Sequence, residues 1–291
     1  MSIKKIFSLL FVVILCLIMY SYGISTIENI IVNRIIEEFK SDILIASSYQ
    51  QYEQIINGDK VVYHSKEKMI KEKPSFSDDD KNYIGQKGDV LITRQSPFPS
   101  IFGVDQFISY YFGGHAALVV DNNDVIEVAG FGNGNIFDVI TTNADDPNHG
   151  FTQIVSRTPN YWNNPHYRPS NDPEYKYFKG YYRSEVIGIR PNDITEAQID
   201  EIIAYANQKV YEKALYNYLF VLDNRNKFYC TDLISRAYSS VDQKILNNRL
   251  PFNLNQDGFV TTANDLILSN DMDLFFYKEQ VNGIINMYYF R

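Results

Sequence analysis

The chain reads as an α+β protein, an antiparallel sheet packed with a few helices, and three patterns point there. Apolar runs of strand length recur between turn residues, at Val90-Leu91-Ile92, Ala116 to Val120 and Val125 to Val128. A capped amphipathic segment begins at Thr195. A further helical face, Leu233, Ile234, Ala237 and Tyr238, follows Cys230.

The first 23 residues stand apart. Lys4 and Lys5 precede an apolar run from Ile6 to Tyr20, which then meets Ser21-Tyr22-Gly23. A positive segment followed by an apolar one is a signal peptide or a short transmembrane anchor. Either sends the rest of the chain out of the cytoplasm and leaves the lysines inside. Cys16 lies in this run without the small residue before it that a lipoprotein cleavage site needs.

Residues 24–80 read as helical and solvated. Ile30, Ile31, Ile35, Ile36 and Phe39 fall near helical spacing, and the charged stretch from Lys66 to Asp80 reads as a linker ending in Asp78-Asp79-Asp80. The main domain is then 81–291. Gly88-Asp89 leads into its first strand, and His115 opens the second. Asp121-Asn122-Asn123-Asp124 supplies turn chemistry for a hairpin ending in Glu127. Further strands are expected at Gln153 to Ser156, Tyr177 to Tyr182 and Val186 to Ile189. Residues 141–175 are rich in Asn, Pro and Asp and read as a long surface loop holding His149 and His166. In Thr195-Glu196-Ala197-Gln198 the helix start is explicit, with Ile199, Ile202, Ile203 and Ala206 as its apolar face. The tail from Asp271 to Phe290 holds two aromatic-rich runs of strand character.

The composition narrows the function. Of 291 residues, 45% are hydrophobic and 21% charged, with 23 tyrosines and 19 phenylalanines to fill a core. The net charge of −8 opposes binding to nucleic acid. One cysteine outside the apolar run and scattered histidines make no metal site. Neither a phosphate loop nor a Gly-x-Ser-x-Gly elbow is present, so no cofactor is expected.

Outside the apolar run the one cysteine is Cys230. A lone thiol in an oxidising place is either buried or used. At a helix N-terminus, backbone N–H groups and the helix dipole favour the thiolate, and the same groups could help form an oxyanion hole. His115 follows two glycines and opens a strand, and is the best candidate base. His64, His149 and His166 read as loop residues. Glu127 could orient the imidazole. A two-residue turn at Asn122-Asn123, however, sets Glu127 opposite Leu118 and on the face away from His115. Only a longer turn or a bulge would restore it.

Together, Gly88-Asp89-Val90-Leu91, Gly114-His115-Ala116-Ala117-Leu118-Val119, Val125-Ile126-Glu127 and Phe228-Tyr229-Cys230-Thr231-Asp232-Leu233-Ile234 resemble the permuted NlpC/P60 superfamily, and within it the YiiX/YebB-like cysteine hydrolases. The match runs from about Gly85 to Val241. The resemblance implies a papain-like fold in circularly permuted order, His before Cys. Cys230 would be the nucleophile, His115 the base and Glu127 the orienting group. Two departures stand out: Thr231-Asp232 replaces Ser-Glu, and Ala214 to Tyr218 lacks the proline of a Pro-Tyr stretch. A tyrosine there, Tyr216 or Tyr218, could assist the oxyanion site. The resemblance implies peptide, amide or lipid-acyl substrates. The alternative is a non-catalytic lipid- or peptide-binding module on the same scaffold.

Overall fold

Among the described residues, nine strands join into one mixed sheet. A computed structural model describes residues 3–56, 58–69, 73–95, 114–121, 123–128, 154–164, 183–217, 226–241, 252–255 and 260–291. Among these, the chain order is α1 (Ile3–Leu44), β1 (Gln50–Ile56), β2 (Asp59–Lys66), β3 (Val90–Thr93), β4 (His115–Val119), β5 (Asp124–Glu127), β6 (Ser156–Pro159) and β7 (Glu185–Pro191). Then come α2 (Glu196–Tyr211), β8 (Leu215–Tyr216), β9 (Lys227–Phe228), α3 (Cys230–Ser239), α4 (Ala263–Leu268), β10 (Met272–Val281) and β11 (Ile284–Phe290). The large sheet runs β1-β2-β11-β10-β7-β3-β4-β5-β6, and β8 pairs with β9 apart from it. The α+β reading agrees with this. The sheet is not wholly antiparallel, because β11 pairs with β2 in parallel. The whole domain lies between those two strands, so no tight turn dictates their direction.

The helical reading of 24–80 is correct only as far as Leu44. Residues 50–66 form the β1–β2 hairpin, in which Val61, Tyr63 and Ser65 are buried on one face. The expected linker is also tied down. Ser75 donates to the Phe275 carbonyl (2.7 Å) and accepts from the Phe290 amide (2.8 Å), and Asp78 caps the amides of Asn82 and Tyr83.

Two unlike halves make up α1. Ile6, Phe7, Leu9, Phe11 and Met19 are exposed, whereas Ser21, Ser25, Val32, Ile36, Phe39 and Ile43 form a buried stripe at helical spacing. Lys40 pairs with Glu279 at 3.0 Å, and Phe39 meets Phe290 edge to face. Among the described residues no helix is long and apolar enough to cross a membrane.

At Thr195 the capping box forms as expected, and Ile199, Ile202, Ile203 and Ala206 are buried. The tail forms β10 and β11. The expected strand at 177–182 lies outside the described residues. Asp89, of the Gly-Asp pair, is buried in a two-bond ion pair with Arg190 (2.8 and 2.6 Å) and also accepts from the Gln86 amide. Its role is structural, since removing one partner of a buried pair leaves an uncompensated charge.

Strand register decides what faces what. In β4–β5, Ala117 lies opposite Glu127. The Val120 amide donates to the Asp124 carbonyl, and the Asp121 carboxylate accepts from the amides of Asn123 and Asp124. The loop is thus one residue longer than a turn at Asn122-Asn123, and Glu127 shares the face of His115 after all.

At Gly114, φ is +83°, and a Cβ there would lie 2.7 Å from the Thr93 carbonyl oxygen. Gly283 has φ +78° with nothing near it. Gly283→Ala should cost about 1 kcal/mol, the left-handed penalty alone. Gly114→Ala should cost about 2 kcal/mol or more, because backbone must also move. Urea unfolding midpoints of the two variants test this order.

Candidate active site

Cys230 is the first residue of α3. Tyr229 before it is extended and supplies no side-chain cap. The backbone N–H groups of Thr231 and Ala116, one from its own helix and one from β4, favour the charged form of the thiol. Both flanks are pinned to Thr261. The Tyr229 hydroxyl accepts from the Thr261 amide (2.8 Å), and the Thr231 hydroxyl donates to the Thr261 carbonyl (2.6 Å). This bond gives Thr231 a role that its hydroxyl alone explains. Asp232 pairs with Arg236 one turn on, at 2.8 Å.

His115 sits at the first position of β4, opposite Thr93. Its Nε2 lies 2.8 Å from Glu127 Oε2, and both side chains are buried. With Nε2 taken by Glu127, the other ring nitrogen, Nδ1, is left for Cys230, which acts on the imidazole. The structure therefore brings the three together: a 2.8 Å hydrogen bond joins His115 to Glu127, and Cys230 lies close enough to the imidazole to shift its titration.

Electrostatics favours the charged forms in this group. Burial pushes His115 down, but bonding to Cys230 and Glu127 outweighs it and raises the imidazole to about 9. Burial pushes the thiol up, but His115 and the two backbone N–H groups hold it below its ordinary value. Burial also pushes Glu127 up, and His115, Tyr161 and Arg183 together bring it below the usual carboxylate value. All three shifts favour the charged form: thiolate, imidazolium and carboxylate.

Several surrounding residues were not legible as site residues. The Tyr161 hydroxyl donates to Glu127 Oε1 at 2.5 Å, and Thr158 lies 3.4 Å from the same oxygen. The Trp162 ring stacks on the His115 ring, with centroids 5.7 Å apart and planes within 5°. Arg183 lies over the Trp162 ring at 5.6 Å. This part of the expected surface loop 141–175 is strand and buried core: β6 spans Ser156–Pro159 and Trp162 is fully buried. The one usable signal is that Trp162 is the chain's single tryptophan.

Tyr216 lies on β8, opposite Phe228 on the strand that leads into Cys230. The alternative, Tyr218, lies outside the described residues, as do His149 and His166. His64 is not in a loop but in β2, stacked on Tyr288 and bonded to the Tyr49 hydroxyl at 2.9 Å. No protein-family model, curated protein or solved structure matches the chain.

The pair leaves a signature in stability against pH. A raised His115 contributes stability that is full below 6.5 and lost as pH rises through about 9. A lowered Cys230 contributes stability that is full above 9.0 and lost as pH falls through its folded value. Where they overlap, the two slopes have opposite sign. Cys230→Ser removes the thiol's slope and also the largest contact raising His115, so relative to the unaltered chain its stability should fall from about pH 6.5 only as far as Glu127 alone keeps the imidazole raised. Urea titrations of both chains across this range measure the difference. Parallel profiles would mean that Glu127 alone does not hold the imidazole charged.

Proposed function

We propose that the chain is a cysteine-dependent hydrolase, a thiol peptidase/amidase or acyl hydrolase, acting outside the cytoplasm through Cys230, His115 and Glu127. The observation that carries this is the meeting of thiol, imidazole and carboxylate, with His115 bonded to Glu127 and the thiol at a helix start. It is the arrangement that the resemblance to the permuted NlpC/P60 group implies for these residues, with the histidine ahead of the cysteine in the chain.

In this reading the Cys230 thiolate attacks the substrate carbonyl carbon and a C–S bond forms. Negative charge on the carbonyl oxygen meets N–H groups of the first turn of α3, with Tyr216 as candidate helper. His115 gives its proton to the leaving group, and the bond to that group breaks. Water then gives a proton to His115 and attacks the thioester, and release of the acid restores the thiolate. Glu127 keeps the ring oriented and favours the imidazolium throughout.

The location rests on the sequence pattern of Lys4, Lys5 and the apolar run. Membrane attachment by an uncleaved N-terminus fits α1, which continues unbroken across Gly23 with Ser21 and Ser25 buried on either side.

Two measurements test the proposal. In the unaltered chain, iodoacetamide should alkylate Cys230 at pH 6 with an apparent pKa well below the free value of about 8.5, and His115→Ala should move that value upward. A p-nitrophenyl ester should leave an acyl group on Cys230, seen by mass spectrometry. Cys230→Ser should cut its turnover by about three orders of magnitude. An unshifted thiol that takes no acyl group would refute the hydrolase reading.

A further inference from the structure

Lys278 is a buried lysine for which the reaction above has no use. It lies on β10 opposite Val186 of β7. Leu91 of β3 pairs with Gly188, Ile92 with Ile187, and Thr93 with His115. Extending that register by one residue aligns Val186 with Thr93. Lys278, Val186, Thr93 and His115 then form one row across four adjacent strands. Side chains in such a row point from the same face, so Lys278 and His115 stand on it about 14 Å apart, three strand spacings.

Trp162 fills the gap between them. Its ring stacks on His115, and its backbone carbonyl accepts from the Lys278 ammonium at 2.9 Å. The neighbouring Tyr161 bonds Glu127. One short segment thus holds the ring of the candidate base and the carboxylate of its orienting group, and that segment is tied to the far side of the sheet by Lys278.

A lysine is a poor choice for this place on stability grounds. It is buried, its paired neighbours Val186 and Met287 are apolar, and the charge that acts on it is the like charge of Arg183. Burial and Arg183 together lower it to about 7. A methionine of similar shape would avoid burying the ammonium. What methionine cannot do is bond the Trp162 carbonyl.

We infer that Lys278 is a positioning residue for the proposed active site, holding the Tyr161-Trp162 segment so that Trp162 stacks on His115 and Tyr161 bonds Glu127. This rests on the hydrolase reading for its purpose, but its geometry can be tested without turnover. Trp162 is the chain's one tryptophan, so intrinsic tryptophan emission reports on the stack alone.

The experiment uses the full chain with Lys278→Met and Lys278→Arg, and reads three things in each: urea midpoint, Trp162 emission against pH, and alkylation of Cys230 at pH 6. In the unaltered chain, emission should follow the titration of His115, because a protonated imidazole quenches a stacked indole. Lys278→Met should keep or raise the midpoint, lose the pH-dependent quenching, and slow alkylation about tenfold, the equivalent of one pKa unit. Lys278→Arg, which keeps charge and donors, should retain quenching and alkylation. Unchanged emission or alkylation in Lys278→Met overturns the inference. So does their loss together with a lowered midpoint, which makes Lys278 a structural residue only. Should Lys278→Met not fold, Lys278→Arg decides alone, and loss of quenching in a folded arginine variant overturns it. An unaltered chain whose thiol titrates like a free one sinks the hydrolase reading, while the emission data still judge the placement of Trp162.

Discussion

The hydrogen bond between His115 and Glu127 depends on the length of one loop. Asp121 caps the amides of Asn123 and Asp124, and β4 and β5 close with Ala117 opposite Glu127. Shift the register by one residue and every side chain of β5 changes face, taking Glu127 away from the imidazole. The same loop also anchors β6, because Arg157 pairs with both Asp121 and Asp124. From β6 come Thr158 and then Tyr161, the other two groups on the Glu127 carboxylate. A short acidic turn therefore sets the register, the orienting carboxylate and the strand that supports it.

Three ionisable groups sit in a place where burial alone would neutralise each of them. Mutual contact offsets that cost, and contact works only at short range. This explains why so much of the surroundings is rigid. Thr261 holds Cys230 from both sides, Gly114 lets β4 begin hard against the Thr93 carbonyl, and one N–H from its own helix and another from the strand beside it favour the charged thiol. The helix dipole adds a fixed positive field at the sulfur. Loosening any one contact returns the group it holds toward its neutral form.

Much of this was legible in the sequence because the signals were local. The capping box at Thr195, the helix after Cys230, the strand after His115 and the paired tail strands each sit within a few residues of their cause. The failures share a different origin. Glu127 depended on a turn length that Asp-Asn-Asn-Asp does not specify. Residues 50–66 alternate only weakly, and their pairing partner β11 lies at the other end of the chain. Trp162 was hidden by Asn- and Pro-rich neighbours. Lys278, in an aromatic strand, reads as an outward-facing charge until the register of three other strands is known.

That distribution has a consequence for how the site is assembled. His115, Glu127 and Trp162 come from the middle of the chain, Cys230 from later, and Lys278 from the second-last strand. β10 can dock only between β7, already in the sheet, and β11, which in turn reaches back to β2 near the start. Such contacts are far apart in sequence and carry a large loop-closure cost before they return anything. The Tyr161-Trp162 segment is therefore held from Lys278 only once β10 has joined the sheet. Placing the cationic tether on the last hairpin couples the finished form of the candidate site to the finished sheet.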